Sequence, residues 1–120
     1  RLDVRLRGLE DRSPRRLLLT RGAAPRGWER IGAPEEIATL DRIDHLLVEG
    51  GAETAAAFLR TDLVDRLLLY RAPVIVGAGL AGIGDIGLAE LAAAHGRWRM
   101  TDMRALGTDR LEVYARVRSA

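Results

Sequence analysis

The chain has 120 residues, 48% of them hydrophobic, a size and composition that suit one domain with a buried core. Its 19 basic residues are all arginines, set among 17 acids for a formal net charge of +2, and with only 4% aromatic residues they form neither a basic stripe nor a stacking platform for nucleic acid. With no cysteine and no lysine, disulfides, thiolate nucleophiles, zinc–thiolate sites, Schiff bases and a P-loop lysine are all excluded.

In chain order, Leu2, Val4 and Leu6 alternate with Arg1, Asp3, Arg5 and Arg7, the period of a short half-exposed strand, and a polar loop follows. Arg16–Thr20 reads as a buried strand closing at Thr20-Arg21-Gly22, and Trp28–Ile31 as a second, brief strand. Pro34–Leu40 has proline and two acids in its first turn, which predicts a short helix. Ile43–Val48 is a branched apolar run that predicts a buried strand. The acid and two glycines of Glu49-Gly50-Gly51 predict a tight turn, and the alanine-rich segment from Ala52 to near Thr61 a helix. Leu63–Tyr70 reads as another buried strand closed by Ala72-Pro73, so the helix predicts a parallel pair with a right-handed crossover.

Val74–Val76 leads into a glycine-punctuated loop from Gly77 to Gly87, and Leu88–His95 predicts a second short helix. Arg97–Ala105 and Arg110–Arg118 predict a hairpin across Gly107-Thr108-Asp109. In its last strand Leu111, Val113, Ala115 and Val117 face one way and Glu112, Tyr114, Arg116 and Arg118 the other. The expected fold class is α/β with an antiparallel C-terminal edge. No apolar run approaches the ~20 residues of a membrane span and no signal-peptide pattern opens the chain, so no membrane partner and a cytoplasmic setting are expected.

Chemistry is most readable at Glu49-Gly50-Gly51, where strand, turn and helix start follow in order. Two glycines let another molecule approach the main chain, and the N–H groups of a helix start attract a phosphate; a plain tight turn is the alternative. Thr20-Arg21 offers a hydroxyl and a guanidinium to an anion, with a solvated strand end as the alternative. Gly77-Ala78-Gly79-Leu80-Ala81-Gly82 matches the dinucleotide fingerprint, but Gly84 and Gly87 interrupt any helix before Leu88, and Asp102 falls in the hairpin instead of ending a second parallel strand. That motif is expected to be a surface loop. His45 and His95 lack metal-ligand spacing, so no metal site is expected. Ser13 and Ser119, the serines of the chain, lack a nucleophile context, and any reactive atom is expected to belong to a cofactor.

Val48-Glu49-Gly50-Gly51-Ala52, with Phe58-Leu59, Leu63-Val64-Asp65-Arg66-Leu67, Ala72-Pro73 and Gly77, resembles the C-terminal reductase domain of the bifunctional riboflavin-biosynthesis deaminase/reductase. Arg1-Leu2-Asp3-Val4-Arg5 is similar to the end of that family's D-D-P-x-L-T-V-R segment. The resemblance implies a dihydrofolate-reductase-like mixed sheet, mainly parallel with an antiparallel C-terminal hairpin and helices on both faces. It implies NADPH-dependent reduction of the ribosyl group of 5-amino-6-(5-phosphoribosylamino)uracil to the ribityl form. By position, Arg5 would contact the substrate phosphate and Glu49 the sugar chain. Gly50, Gly51, Ala52, Glu53 and Thr54 would hold the cofactor pyrophosphate, and Thr20 with Arg21 would meet its 2′-phosphate; no catalytic side chain is implied.

The chain reads as a single reductase domain that lacks the family's N-terminal strand and helix and a segment near residues 14–17. A homodimer and, in the parent protein, a fused N-terminal deaminase domain are implied partners. A pterin reductase of the same fold and a non-catalytic nucleotide-binding or assembly domain are the alternatives.

Overall fold

A computed structural model describes residues 3–119, arranged as two compact units that divide between Leu46 and Leu47. In the first unit β1 (Leu17–Leu19) and β2 (Glu29–Ile31) pair in parallel, with Leu17 opposite Glu29 and Leu19 opposite Ile31. The ladder runs past both ends, the Glu29 N–H donating to the Arg16 carbonyl at 2.8 Å and the Thr20 N–H to the Ile31 carbonyl at 2.9 Å. Ile31 is buried and the β1 leucines are half-buried. The helix expected at Pro34–Leu40 is a 3-10 helix, Pro34–Thr39, whose proline occupies a first-turn position where no N–H is needed. Residues 3–7 form no strand; Arg1 and Leu2, where that strand was expected to begin, lie outside the described residues.

The second unit contains α1 (Ala52–Arg60), with Ala56 and Phe58 buried, and a three-stranded antiparallel sheet. In that sheet β5 (Asp109–Arg116) lies between β3 (Arg66–Arg71) and β4 (Trp98–Leu106), with Leu68 opposite Val113 and Met103 opposite Glu112. The expected hairpin is present, turning at Gly107, whose φ of 62° falls in the left-handed region that only glycine enters without strain. The ladder places Leu111, Val113 and Ala115 on one face and Glu112 and Tyr114 on the other, as the alternation predicts.

Two expectations are corrected here. Ile43–Val48 forms no strand, and the crossover pairing with Leu63–Tyr70 is absent: β3 instead pairs antiparallel with β5 along all six of its residues. Composition marks a segment as able to form a strand, but a strand exists only where a neighbour supplies its ladder bonds. No described strand pairs with Ile43–Val48, and Leu47 is left 71% exposed. The mainly parallel sheet with helices on both faces is therefore replaced by one short parallel pair, one antiparallel sheet and a single α-helix among the described residues. The second short helix expected at Leu88–His95 is a 3-10 turn, Leu91–Ala94.

The C-terminal end of α1 is tied to the sheet by charge. Asp62, with φ of 55°, turns the chain out of the helix in a conformation aspartate tolerates better than most residues. Its carboxylate accepts from Arg116 Nε at 2.6 Å and from Arg118 Nη1 at 3.1 Å, while Arg116 lies over the Trp98 ring. The Arg116 hydrogen bond, with Arg118 and Arg97 adding charge, holds the Asp62 carboxyl below the usual aspartate range. A carboxyl depressed in the folded state stabilises above its unfolded pKa, and that contribution disappears as pH falls through the folded value. Asp62→Asn is thus expected to lower the urea midpoint at about pH 7, with the gap to the parent narrowing as pH falls through the folded carboxyl's depressed value. Urea unfolding at a series of pH values checks it.

Candidate functional site

Gly51 is the N-cap of α1, at φ −78° and ψ −174°, and no side chain caps the helix there. The Ala55 N–H closes the first helical turn on the Gly51 carbonyl at 3.1 Å, so the N–H groups of Ala52, Glu53 and Thr54 have no partner within the helix. The glycines before this start differ in what they require. A Cβ on Gly50 would stand 2.7 Å from Thr54 Cβ, whereas a Cβ on Gly51 would meet nothing within 4 Å. Gly50 thus lets the chain pass tight under the first turn, while the Cβ direction at Gly51 is open. Glu49 precedes them on an exposed segment. Positive partial charge and N–H donors without a helical partner are the features that attract an oxyanion to a helix start.

The glycine-rich segment behaves differently in its two halves. Gly77 to Gly82 is exposed and no helix opens within it, which removes the dinucleotide fingerprint in favour of the surface loop expected. Beyond it the chain is strapped to α1. The Gly84 N–H donates to the Ala52 carbonyl at 3.0 Å, and Arg60 Nη1 donates to the Asp85 carbonyl at 2.5 Å. A Cβ on Gly84 would lie 2.9 Å from Glu53 Oε1 and 3.2 Å from the Ala52 carbonyl oxygen, so Gly84 permits close approach to the helix start. Sequence reasoning treated Gly84 as a helix interrupter only; glycine spacing carries no signal of which helix a loop will touch.

In the first unit, Thr20 and Arg21 follow β1 at the carboxyl ends of the parallel strands, where ligands bind in open α/β sheets. Thr20 Oγ1 accepts the Gly22 N–H at 3.1 Å, and Arg30 Nε on β2 donates to the Thr20 carbonyl at 3.1 Å. Arg21 is exposed. Arg30 was not singled out from the sequence, because its reach to Thr20 depends on the β1–β2 register. Arg5 is exposed, its Nε 3.5 Å from Asp3 Oδ1. A shallow depression lined by Arg15, Glu29, Thr39, Asp41 and Arg42 contains none of the expected site residues. Its Arg15 is held by two hydrogen bonds to the Glu29 carboxylate, at 2.8 and 2.7 Å, which pull the Glu29 carboxyl below its ordinary range. Among the described residues no cluster of His, Asp or Glu is arranged to hold a metal ion, and no helix is long and apolar enough to cross a membrane.

The model of the RibD C-terminal domain family matches residues 10–111. Over 84 residues the chain is 36% identical to the riboflavin biosynthesis protein RibD of Mycobacterium tuberculosis, a match covering 68% of this chain and 24% of the relative. A 49-residue stretch is 45% identical to the protein of that name from Aquifex aeolicus, covering 41% of this chain and 14% of the relative. The Corynebacterium ammoniagenes protein is 34% identical over 86 residues, 59% of this chain and 25% of the relative. The chain spans at most about a quarter of the length of the curated relatives it matches.

Proposed function

This chain belongs to the RibD C-terminal domain family, and from that premise we propose that it is an NADPH-dependent reductase domain with the dihydrofolate-reductase-like fold. It acts on 5-amino-6-(5-phosphoribosylamino)uracil in riboflavin biosynthesis, converting the ribosyl group to the ribityl form. The observation that supports this best is the uncapped start of α1, open at Gly51 and closely passed by Gly50. A dinucleotide pyrophosphate suits that helix start, since the donors are main-chain N–H groups and a Cβ on Gly51 would meet nothing within 4 Å. Gly50, Gly51 and the N–H groups of Ala52, Glu53 and Thr54 hold the pyrophosphate; Thr20 and Arg21 take the adenosine 2′-phosphate.

NADPH, when bound, supplies the hydride, and this fits a chain that contains no lysine or cysteine nucleophile of its own. The protein's part is to bind and orient. Glu49 accepts hydroxyls of the sugar chain, and Arg5 pairs with the substrate phosphate through a charge-assisted fork. In the parent protein the domain is fused to an N-terminal deaminase and forms a homodimer. Leu68 and Tyr70, left 44% and 63% exposed on the edge strand β3, support an association of that kind.

The test is NADPH oxidation in the presence of the phosphoribosylaminopyrimidine, with dihydrofolate as the rival substrate. The pyrimidine is expected to be reduced and dihydrofolate left intact. Arg5→Ala should raise KM for the pyrimidine by about tenfold or more, the scale of one lost hydrogen bond to a charged group, with NADPH affinity unchanged. Reduction of dihydrofolate alone would favour the pterin reductase. Binding of NADPH with neither substrate reduced would make this a nucleotide-binding domain.

A further inference from the structure

We propose that Arg30 is a specificity-determining residue of the cofactor site: it fixes the Thr20 turn and supplies a second guanidinium, beside Arg21, to the 2′-phosphate that separates NADPH from NADH. The inference rests on the cofactor reading above. Arg30 sits in β2 opposite Leu18 of β1, and from there its side chain runs toward the carboxyl ends of both strands. Nε donates to the Thr20 carbonyl at 3.1 Å, the residue whose hydroxyl also accepts the Gly22 N–H. The turn that presents Arg21 is therefore gripped from both sides.

The rest of the Arg30 fork is available. Arg15, Arg116 and Arg118 are committed to carboxylates at 3.1 Å or less, but neither Arg21 nor Arg30 forms an ion pair with a described carboxylate. Glu36 is the acid that faces this place, and it is engaged with the Gly32 N–H at 3.1 Å. A Cβ on Gly32 would stand 3.1 Å from Arg30 Nη2 and 3.0 Å from Glu36 Oε1, so the absence of a side chain at Gly32 leaves room for the guanidinium. With Nε fixed on the Thr20 carbonyl, the Arg30 Nη donors stand near the strand end without a described ion pair, a fork suited to a phosphate dianion and without a purpose for a 2′-hydroxyl.

The experiment is fluorescence titration of NADPH and NADH into the parent, Arg30→Ala, Arg30→Lys and Arg21→Ala proteins. Arg30→Ala is expected to weaken NADPH about tenfold or more and to leave NADH unchanged, so the NADPH preference collapses. Lysine is expected to restore only part of it, because one ammonium cannot serve the Thr20 carbonyl and the phosphate as a fork does. If Arg30→Ala keeps the parent's NADPH:NADH ratio while Arg21→Ala loses it, the role of Arg30 is overturned and the cofactor reading survives. An equal loss of both nucleotides in Arg30→Ala also overturns it, as the mark of a structural role. If the parent itself fails to prefer NADPH, the cofactor reading fails and the proposal falls with it.

Discussion

Gly50→Ala is expected to destabilise the protein by about 2 kcal/mol, the scale of one inserted methyl in a packed place, and to weaken NADPH at least tenfold. The reason is geometric. The added Cβ would lie 2.7 Å from Thr54 Cβ and 2.9 Å from its Cγ2, and Thr54 Cβ is fixed by the helix backbone. A rotamer change cannot relieve that clash, so the chain entering α1 must move away from the first turn. The N–H groups of Ala52, Glu53 and Thr54 then lose their alignment. Gly51→Ala is the paired control: its Cβ meets nothing within 4 Å, and its φ of −78° suits any residue. It should change stability by less than about 1 kcal/mol, the N-cap difference between glycine and alanine. Thermal unfolding of both variants checks the contrast, and NADPH titration checks the Gly50 loss; equal melting of the two would mean that the tight passage at Gly50 has no consequence.

Gly51→Asp is expected to separate stability from binding. Aspartate is at least as good an N-cap as glycine, so the melting temperature should hold or rise slightly. NADPH should be weakened about a hundredfold, because a carboxylate about 5 Å from a phosphate charge costs roughly 3 kcal/mol at an effective dielectric of 20. Gly51→Asn keeps the capping oxygen without the charge and should bind far closer to the parent. Added salt should recover part of the loss in the aspartate variant, since the site is open to solvent. NADPH titrations of the three proteins at two ionic strengths measure this. Equal affinity of the aspartate and asparagine variants would show that no anion sits at the helix start.

How far the sequence reveals this protein depends on the range over which each feature is decided. The hairpin of β4 and β5, the end of α1 near Thr61-Asp62 and the strands expected at Arg16–Thr20 and Trp28–Ile31 follow from local pattern, turn residues and breakers, and all are present, the two strands at Leu17–Leu19 and Glu29–Ile31. Ile43–Val48 failed for the opposite reason. Its composition is that of a buried strand, but burial and pairing are supplied by other segments, and none of the described strands takes it. Likewise β3 was legible as a strand, while its partner, β5, lies more than forty residues on and in the other orientation.

At the candidate site the same division holds. Glu49-Gly50-Gly51 and the first turn of α1 are contiguous, so their shared place could be read directly. Gly84 reaches the Ala52 carbonyl and Arg30 reaches Thr20 through tertiary geometry, and neither glycine spacing nor one arginine among 19 basic residues announces it.

We propose that main-chain donors at the start of α1 receive the cofactor pyrophosphate and that the Thr20–Arg21 turn receives the 2′-phosphate. Amide chemical shifts during NADPH titration address it residue by residue. The expected result is saturable movement of the Gly51, Ala52, Glu53 and Thr54 amides and of Arg21, with NADH moving the helix-start amides and sparing Arg21. No saturable movement of the helix-start amides up to about 1 mM NADPH, an affinity of only about 4 kcal/mol, would contradict it.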